Sequence, residues 1–308
     1  MDDKVSKLFH AGNIVLFDAA MGTALQAAGQ PAGMRSEEMN IFDPDAVLRI
    51  HRENLRAGSD VITGNTFGVS AMLLRGDKTL AIKRFEAGIA LAGQAIEAEK
   101  DRPAFSPLLA FDIGPTGALM EPVGDLGYGA AEEIFAIQAE AGAKGGADCV
   151  LLETFADIEE FTCAARVAKK VSGLPVIGTM CFAENARTFM GVSPAELIER
   201  AYAGGMAAMG ANCSLSPLKM VPVVEEILAE NGKKQNQLPV VCQPNAGTPV
   251  FKDGEMVYEM TEAEFYEGMK RLIDLGISGV GGCCGTSPAM IAAIRGIIDG
   301  KNNSGGTR

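Results

Sequence analysis

Two adjacent cysteines near the C-terminal end of the chain are the residues best suited to chemistry. Residues 281–288 read GGCCGTSP, so Cys283 and Cys284 lie between glycines. Neighbouring side chains of a regular strand point to opposite faces, so two adjacent thiols within a strand cannot reach one point. Glycine removes that restriction because it adopts backbone conformations closed to other residues. The pattern therefore predicts that both thiols converge on one ligand.

Cys213 supplies a third thiol if the elements that carry these cysteines are neighbours. Three protein ligands with one open position are typical of catalytic zinc, and zinc suits thiolate ligands. Such an ion can keep a substrate thiol deprotonated, whereas a free thiol, with a pKa of about 8.5, is mostly protonated at neutral pH. We therefore predict zinc on Cys213, Cys283 and Cys284, and activation of a thiol as a nucleophile.

The other four cysteines have a simpler interpretation. Free cysteine is often a small buried hydrophobic residue, and this is the role we predict for Cys149, Cys163 and Cys242. Cys181 ends a predicted strand, and both a structural and a functional role remain open for it.

Two carboxylates complete the candidate chemistry. Asp18 and Glu153 each end an apolar run and have the right charge to hold an ammonium group. The backbone of residues 19–23, which includes Gly22 and Thr23, can donate N–H groups to a carboxylate. Together these groups describe an amino-acid thiol as ligand. A salt bridge or a loop cap is the alternative for both acids, and Asp112 could equally form a turn.

The candidate metal ligands and the two acids stand at or directly after the ends of short apolar runs that alternate with helical stretches. Eight such runs are typical of a single-domain α/β protein, a (β/α)8 TIM barrel, whose catalytic residues lie at the carboxyl ends of the strands. The runs are Ile14–Asp18, Asp60–Asn65, Leu108–Asp112, Cys149–Glu153, Val176–Cys181, Ala207–Cys213, Pro239–Asn245 and Ile277–Cys283. We predict one barrel over residues 1–300 and a disordered polar tail over 301–308.

Composition narrows the class of protein. A net charge of −12 argues against nucleic acid or an anionic membrane surface as a partner, since both require clustered lysine and arginine. The chain has no long apolar run of the kind that spans a bilayer or begins a signal peptide. Seven cysteines without an export signal favour reduced thiols over a disulfide framework. We expect a cytoplasmic protein.

Seven motifs in order along the chain resemble those of the homocysteine S-methyltransferases. They are FDAAMGT (17–23), TGNTFG (63–68), FDIGPTG (111–117), LLETFAD (151–157), GANCS (210–214), QPNAGTP (243–249) and GGCCGTSP (281–288). The chain looks most similar to the homocysteine-binding module of cobalamin-dependent methionine synthase. The likeness covers essentially the whole chain. One departure is Ala19, where the family usually has glycine, which makes the detail of carboxylate binding differ.

The resemblance implies a zinc-containing barrel that transfers a methyl group to homocysteine and forms methionine. It implies zinc on the three cysteines, with the homocysteine sulfur in the fourth position. It also implies that Asp18 and Glu153 bind the amino group and act in catalysis. Gly22, Thr23, Asn212 and Asn245 are the further substrate-binding residues that it implies, and Asn245 could fill the open zinc position when homocysteine is absent.

The methyl donor is less determined than the acceptor. One barrel fills the chain, so we expect the donor to come from outside, most simply from a separate methyl-corrinoid protein, as the likeness to methionine synthase implies. S-methylmethionine and betaine are alternatives. Betaine fits less well, because a quaternary ammonium favours an aromatic cage and the chain has no tryptophan and four tyrosines. A zinc or thiol sensor without turnover is the alternative outside the enzymes.

Overall fold

Eight parallel strands form a barrel with helices around it. The computed structural model describes residues 4–10, 13–100, 106–252 and 255–305 of the 308. The barrel strands are β1 (Val15–Leu16), β2 (Val61–Thr63), β3 (Leu108–Ile113), β4 (Cys149–Phe155), β5 (Val176–Met180), β6 (Ala208–Asn212), β7 (Val240–Gln243) and β10 (Gly279–Val280). Each lies within or overlaps one of the eight predicted runs, and the single-domain (β/α)8 prediction is confirmed.

The strand order is β1-β10-β7-β6-β5-β4-β3-β2, every pair parallel. A parallel bridge between Phe17 and Val61 joins the two edge strands and closes the barrel. A two-stranded antiparallel hairpin, β8 (Val250–Lys252) with β9 (Glu255–Val257), follows β7 and was not predicted from the sequence. It stands outside the barrel sheet.

The helices follow the strands as the predicted alternation requires. They are α1 (Lys4–His10), α2 (Met21–Ala27), α3 (Met39–Phe42), α4 (Pro44–Ala57), α5 (Val69–Arg75), α6 (Lys78–Ala98), α7 (Tyr128–Lys144), α8 (Ile158–Ser172), α9 (Pro194–Gly204), α10 (Pro217–Asn231), α11 (Glu262–Asp274) and α12 (Pro288–Gly305). Capping side chains fix several starts: Asp43 accepts from Ala46 N, and Thr261 with Glu264 forms a capping box. None of the helices in the described ranges is long and apolar enough to cross a bilayer.

The last helix runs further than the sequence suggested. α12 continues to Gly305 and so includes the first five residues of the segment predicted to be disordered. Lys301 Nζ lies 2.8 Å from Asp274 Oδ1 and donates to the carbonyl of Ile273, which fastens this part of α12 to α11. The remaining residues, 306–308, lie outside the described residues, and a domain boundary at residue 300 stays a prediction.

Alternation along the strands separates two cores. Inward residues such as Val61, Ala110 and Leu151 pack with Val5 and Phe9 of α1, which lies against the amino-terminal end of the barrel interior. Outward residues pack against the surrounding helices. Because side chains alternate, the inward positions at the carboxyl ends of the strands form one layer at the barrel mouth. That layer contains Thr63, Asp112, Glu153, Thr179, Asn212 and Gln243.

Candidate active site

Three thiols meet at the barrel mouth. Cys213 directly follows β6, and Cys283 and Cys284 follow β10 after two glycines. Their three sulfur atoms all lie within 4.8 Å of one another, and Cys213 Sγ is 4.0 Å from Cys284 Sγ. The tertiary structure therefore brings together the three cysteines that the sequence analysis selected.

Glycines make this meeting possible in two different ways. Gly285 has a φ of +81°, a left-handed conformation that favours glycine, and a Cβ there would lie 2.2 Å from Cγ of Tyr258. Gly281 and Gly282 are needed for space instead, because a Cβ at Gly281 would lie 2.7 Å from Cβ of Phe17 and one at Gly282 would lie 2.4 Å from Oγ1 of Thr286. The prediction that glycines release the backbone thus applies in the strict sense to Gly285.

Backbone hydrogen bonds hold the two cysteine segments in register. Cys283 N donates to the carbonyl of Pro244, and Ala246 N donates to the carbonyl of Cys284, both at 2.9 Å. Cys213 N donates to the carbonyl of Gln243 at 2.9 Å. The segment after β7 thus lies between the two cysteine segments and fixes the distance between them.

A fourth thiol lies beside the three. Cys181, at the end of β5, has its Sγ 2.7 Å from Ser214 Oγ and shares a hydrogen bond with Cys213, which lowers the pKa of the Cys181 thiol to about 7. The group of ligand atoms within 4.8 Å of one another does not include Cys181. The remaining cysteines are buried, as predicted: Cys149 lies inside the barrel, whereas Cys163 of α8 and Cys242 of β7 lie in the core between the barrel and the helices.

The donor set fits a zinc ion. Hydrogen bonds with Cys213 and Cys284, together with burial, raise the pKa of the Cys283 thiol well above its usual range, so this thiol keeps a proton that a bound cation would replace. Asn245 is buried in the segment between the cysteines, and its Oδ1 has no hydrogen-bond partner in the described part of the chain. A buried amide oxygen without a partner is a group that a bound ligand or ion can satisfy.

The predicted ammonium-binding acids are also close together. Asp18 accepts hydrogen bonds from Thr63 N (2.9 Å) and Thr63 Oγ1 (2.8 Å), and burial raises its pKa to about 7. Burial also raises the pKa of Glu153 to about 7, although a hydrogen bond with Asp112 acts in the opposite direction. The charge of Glu153 contributes to the raised pKa of Asp18, so the two carboxyls influence each other. This is a buried acidic site suited to a cation.

Asn212 holds Glu153 rather than standing free. Its Oδ1 accepts from Thr154 N (2.8 Å) and Thr179 Oγ1 (2.9 Å), and its Nδ2 donates to Thr154 Oγ1 at 2.7 Å and to Glu153 Oε2 at 3.4 Å. Thr154 has a φ of +62° at a register shift of β4, and these bonds stabilise that irregularity. Direct substrate binding by Asn212 stays a prediction, whereas its contact with Glu153 is observed.

Two backbone N–H groups of the turn after β1 already donate hydrogen bonds to side chains of the protein. Ala19 N donates to Asn54 Oδ1 and Ala20 N donates to Thr286 Oγ1. Thr23 Oγ1 accepts from Gly285 N at 3.2 Å, which connects the start of α2 to the cysteine segment. Of the predicted carboxylate donors, those of the first turn of α2, with Gly22 and Thr23, remain the candidates, because the first amides of a helix have no partner within it.

Two features of the site were missed from the sequence. The first is the contact between Asp112 and Glu153. Asp112 ends an apolar run just as Asp18 does, so the same sequence signal could have identified it. Tyr258, just after the hairpin, shares a hydrogen bond with the Cys284 thiol, and nothing in the sequence pattern indicated it. Tyr258 also lines a groove of about 900 Å³ between α2, residues 28–34 and the start of α12. The groove leads to the cysteine segment at Gly285.

Exposed apolar side chains surround the barrel mouth. They belong to the connections that follow the carboxyl ends of the strands: Ile41, Phe42, Phe67, Leu119, Val123, Phe189, Leu218, Val250, Phe251 and Met256. We call this set the apolar rim. Phe189 is 92% exposed and Phe251 is 71% exposed. Apolar surface concentrated in this way marks an interaction site more often than scattered exposed residues do.

The fold and the site define a (β/α)8 barrel with a cysteine cluster and an acidic pocket at its catalytic face. The model of the family described as homocysteine S-methyltransferase matches residues 15–298, and the chain belongs to that family.

The relatives of known name include both methionine synthases and betaine–homocysteine S-methyltransferases. The chain is 28% identical over 296 residues to methionine synthase of Mycobacterium tuberculosis. The alignment covers 91% of this chain but 24% of that protein. The chain is 30% identical over 304 residues to betaine–homocysteine S-methyltransferase 1 of Mus musculus, covering 92% of this chain and 72% of that protein. The chain thus spans about a quarter of the length of the methionine synthases that it matches.

Solved structures agree with the fold. The metallated form of the homocysteine methyltransferase MmuM from Escherichia coli superposes with a TM-score of 0.76 at 20% identity, over 95% of this chain and 99% of that one. At this identity the likeness supports the fold alone.

Proposed function

We propose that this protein transfers a methyl group to the sulfur of homocysteine and forms methionine at a zinc site on Cys213, Cys283 and Cys284. The observation that carries the proposal is a cluster of three sulfurs within 4.8 Å of one another, with Cys284 close enough to act on the charge of the half-buried Glu153, which in turn acts on the buried Asp18. A thiol and an ammonium of one amino acid need both kinds of group in one pocket. Family membership supports homocysteine as the acceptor.

Zinc, when bound to the three cysteines, would keep the homocysteine sulfur deprotonated and therefore nucleophilic. The chain's own groups orient the rest of the molecule. Asp18, fixed by Thr63, and Glu153, fixed by Asn212, would accept the ammonium, and the first turn of α2 at Gly22 and Thr23 would donate to the carboxylate. Asn245, whose buried Oδ1 has no hydrogen-bond partner within the described residues, would be the candidate to fill the open zinc position when homocysteine is absent.

We infer that the donor is a separate methyl-corrinoid protein that docks on the apolar rim. A donor protein must cover the barrel mouth to bring its methyl group to the sulfur, and the rim offers apolar contact at that face. The sulfur lone pair forms the new carbon–sulfur bond, and the donor keeps the electron pair of the bond that breaks. The partial coverage of the methionine synthases agrees with a catalytic module that works with other modules or proteins.

Betaine is the second candidate donor, because the chain is 30% identical to a betaine–homocysteine S-methyltransferase. The tyrosines argue against an aromatic cage. The Tyr202 hydroxyl donates to Asn231 Oδ1 or to the carbonyl of Asn236, and the Tyr128 hydroxyl donates to Glu159 Oε2. Tyr266 packs against the core, so Tyr258 is the tyrosine that lines the groove. A single tyrosine makes a weaker site for a quaternary ammonium than a cage does.

The deciding experiment incubates zinc-loaded protein with homocysteine and, in separate reactions, a methyl-corrinoid protein, methylcobalamin, S-methylmethionine and betaine, and measures methionine. We expect methionine from the corrinoid donors. Methionine from betaine or S-methylmethionine alone would replace the proposed donor and keep the acceptor. Zinc-loaded protein that binds homocysteine but forms no methionine with any donor would overturn the enzymatic proposal in favour of a sensor.

A further inference from the structure

Asp112 is a buried acid whose side chain is not explained by the fold. It occupies the last inward position of β3 and is 3% exposed. Thr66 holds its backbone, because Asp112 N donates to Thr66 Oγ1 at 3.0 Å and Thr66 Oγ1 donates to the Asp112 carbonyl at 2.8 Å. Neither bond involves the carboxyl group. The fold therefore fixes the position of Asp112 and leaves its side chain directed into the mouth of the barrel.

The charged groups that act most strongly on this carboxyl, among the described residues, are acidic. Glu153, Glu37 and Asp18 each act on Asp112. Glu37 is already used elsewhere, since it accepts from Gly68 N at 2.5 Å. Asp112 Oδ1 is buried and accepts no hydrogen bond from any group in the described part of the chain. A buried acid among acids costs stability unless a ligand or a proton compensates it.

A shared proton compensates part of that cost. Asp112 and Glu153 are hydrogen-bonded to each other, and burial together with the nearby Glu153 raises the pKa of Asp112 well above its usual range. The proton therefore stays on Asp112, which donates to the Glu153 carboxylate. A protonated carboxyl that donates through one oxygen still has acceptor capacity on its carbonyl oxygen.

We propose that Asp112 is the third acceptor for the α-ammonium of the amino-acid substrate, beside Asp18 and Glu153, and that it also orients Glu153 through their hydrogen bond. A primary ammonium has three N–H donors, and three carboxyl groups match them one to one. With one of the three neutral, the site avoids a third buried negative charge. This assignment rests on the proposed function, because it names a further binding residue of the same pocket.

The test compares two substitutions of nearly the same size. Asp112→Asn keeps a carbonyl acceptor and an N–H donor toward Glu153, whereas Asp112→Leu removes both. Calorimetric titration of zinc-loaded protein with homocysteine and with 4-mercaptobutanoate, which lacks the ammonium, measures the contribution of the ammonium. We expect wild-type protein to prefer homocysteine, Asp112→Leu to lose roughly 10- to 100-fold in homocysteine affinity with little change for 4-mercaptobutanoate, and Asp112→Asn to recover most of the loss.

A kinetic readout accompanies the titration. The KM for homocysteine should rise in Asp112→Leu more than kcat falls, because the ammonium is held equally before and during transfer. Zinc content and thermal unfolding of each variant verify that it is folded, and Asp112→Ala, which also lacks an acceptor and a donor, replaces Asp112→Leu if the leucine variant does not fold.

Each outcome has one meaning. Equal loss of affinity for both thiols would indicate a structural role and overturn the assignment, as would Asp112→Leu with wild-type preference for homocysteine. If Asp112→Asn binds homocysteine as weakly as Asp112→Leu does, binding requires a charged Asp112, and the proposal that Asp112 shares a proton with Glu153 is wrong. Wild-type protein that binds both thiols equally would overturn the proposed substrate, and this assignment with it.

Discussion

Cys213 Sγ lies 4.0 Å from Cys284 Sγ although the two residues are 71 positions apart in the chain. The distance is set by the end of β7 and the segment after it: the carbonyl of Gln243 accepts from Cys213 N, and Pro244 and Ala246 bond to the pair Cys283–Cys284. A metal site built in this way depends on three neighbouring strand ends rather than on a local loop. Each ligand should therefore be required separately.

Substituting one of the three cysteines by alanine should abolish stoichiometric zinc binding, because two thiolates cannot hold the ion as three do. Cys213→Ala, Cys283→Ala and Cys284→Ala are the test variants. Cys181→Ala and Cys163→Ala are the controls, since Cys181 lies beside the cluster without belonging to it and Cys163 is buried under a helix. Zinc per protein chain is measured on the purified variants. Zinc loss in Cys181→Ala, or retention in Cys283→Ala, would contradict the ligand set.

Glu153→Gln should raise the KM for homocysteine by roughly 10- to 100-fold, because a hydrogen bond to a charged group contributes about 1.5–3 kcal/mol. The matched control is Glu160→Gln. Glu160 is also a buried glutamate with a raised pKa caused by burial, but it accepts from Thr116 N and Thr116 Oγ1, and it should affect stability without changing KM. Steady-state kinetics at a fixed concentration of the methyl donor gives the KM for homocysteine of each variant. Equal KM changes in both variants would argue against ammonium binding by Glu153.

Stability should depend on pH through the acidic pocket. Burial raises the pKa of Glu153 from 4.5 to about 7, so between these values the folded protein binds more protons than the unfolded chain does. The free energy of unfolding of the metal-free protein should therefore fall as pH rises from about 4.5 to 7, by up to about 1.4 kcal/mol per pH unit for this group. Denaturant titrations at pH 5, 6 and 7 should give a smaller fall for Glu153→Gln than for wild type. If the free energy of unfolding depends on pH in the same way in the two proteins, Glu153 is not the source of the pH dependence.

Gly285→Ala should weaken zinc binding, whereas Gly173→Ala, which has a similar backbone strain, should not. Both Gly285 (φ +81°) and Gly173 (φ +70°) are left-handed, so alanine at either costs about 1–2 kcal/mol. A Cβ at Gly173 meets no atom within 4 Å, whereas one at Gly285 collides with Tyr258, which contacts Cys284. We expect a roughly 10- to 100-fold loss of zinc affinity for Gly285→Ala only. Competition with a chelator measures it, and equal affinities in the two variants would be inconsistent with a supporting role of Tyr258.

The apolar rim should matter for a protein donor and not for a small one. Phe189→Ser and Phe251→Ser should raise the KM for a methyl-corrinoid protein by roughly tenfold each, because exposed aromatic side chains contribute strongly at interfaces. Transfer from free methylcobalamin should change little. Val171→Ser is the control, since Val171 is 41% exposed but lies at the end of α8, away from the barrel mouth. If Val171→Ser has the same effect as the rim variants, docking does not occur there.

The sequence by itself determined the barrel and the residue types at its mouth. Alternating apolar runs and helices predict eight strands, and the strand ends are visible because the apolar residues of each run give way to an acid, an asparagine or a cysteine. The unusual glycines of GGCCG also indicated that Cys283 and Cys284 face one point, because so few local conformations permit that.

Only the tertiary structure decided which strand ends meet and what each side chain contacts. Asp112 and Glu153 share a hydrogen bond because β3 and β4 are neighbours in register, and Asn212 contacts Glu153 across the barrel mouth. The hairpin that brings Tyr258 to Cys284 has no strong periodicity, since its strands have three residues each and β8 is fully exposed. Contacts of this kind depend on strand stagger and loop path, which a linear pattern of residue types does not encode locally.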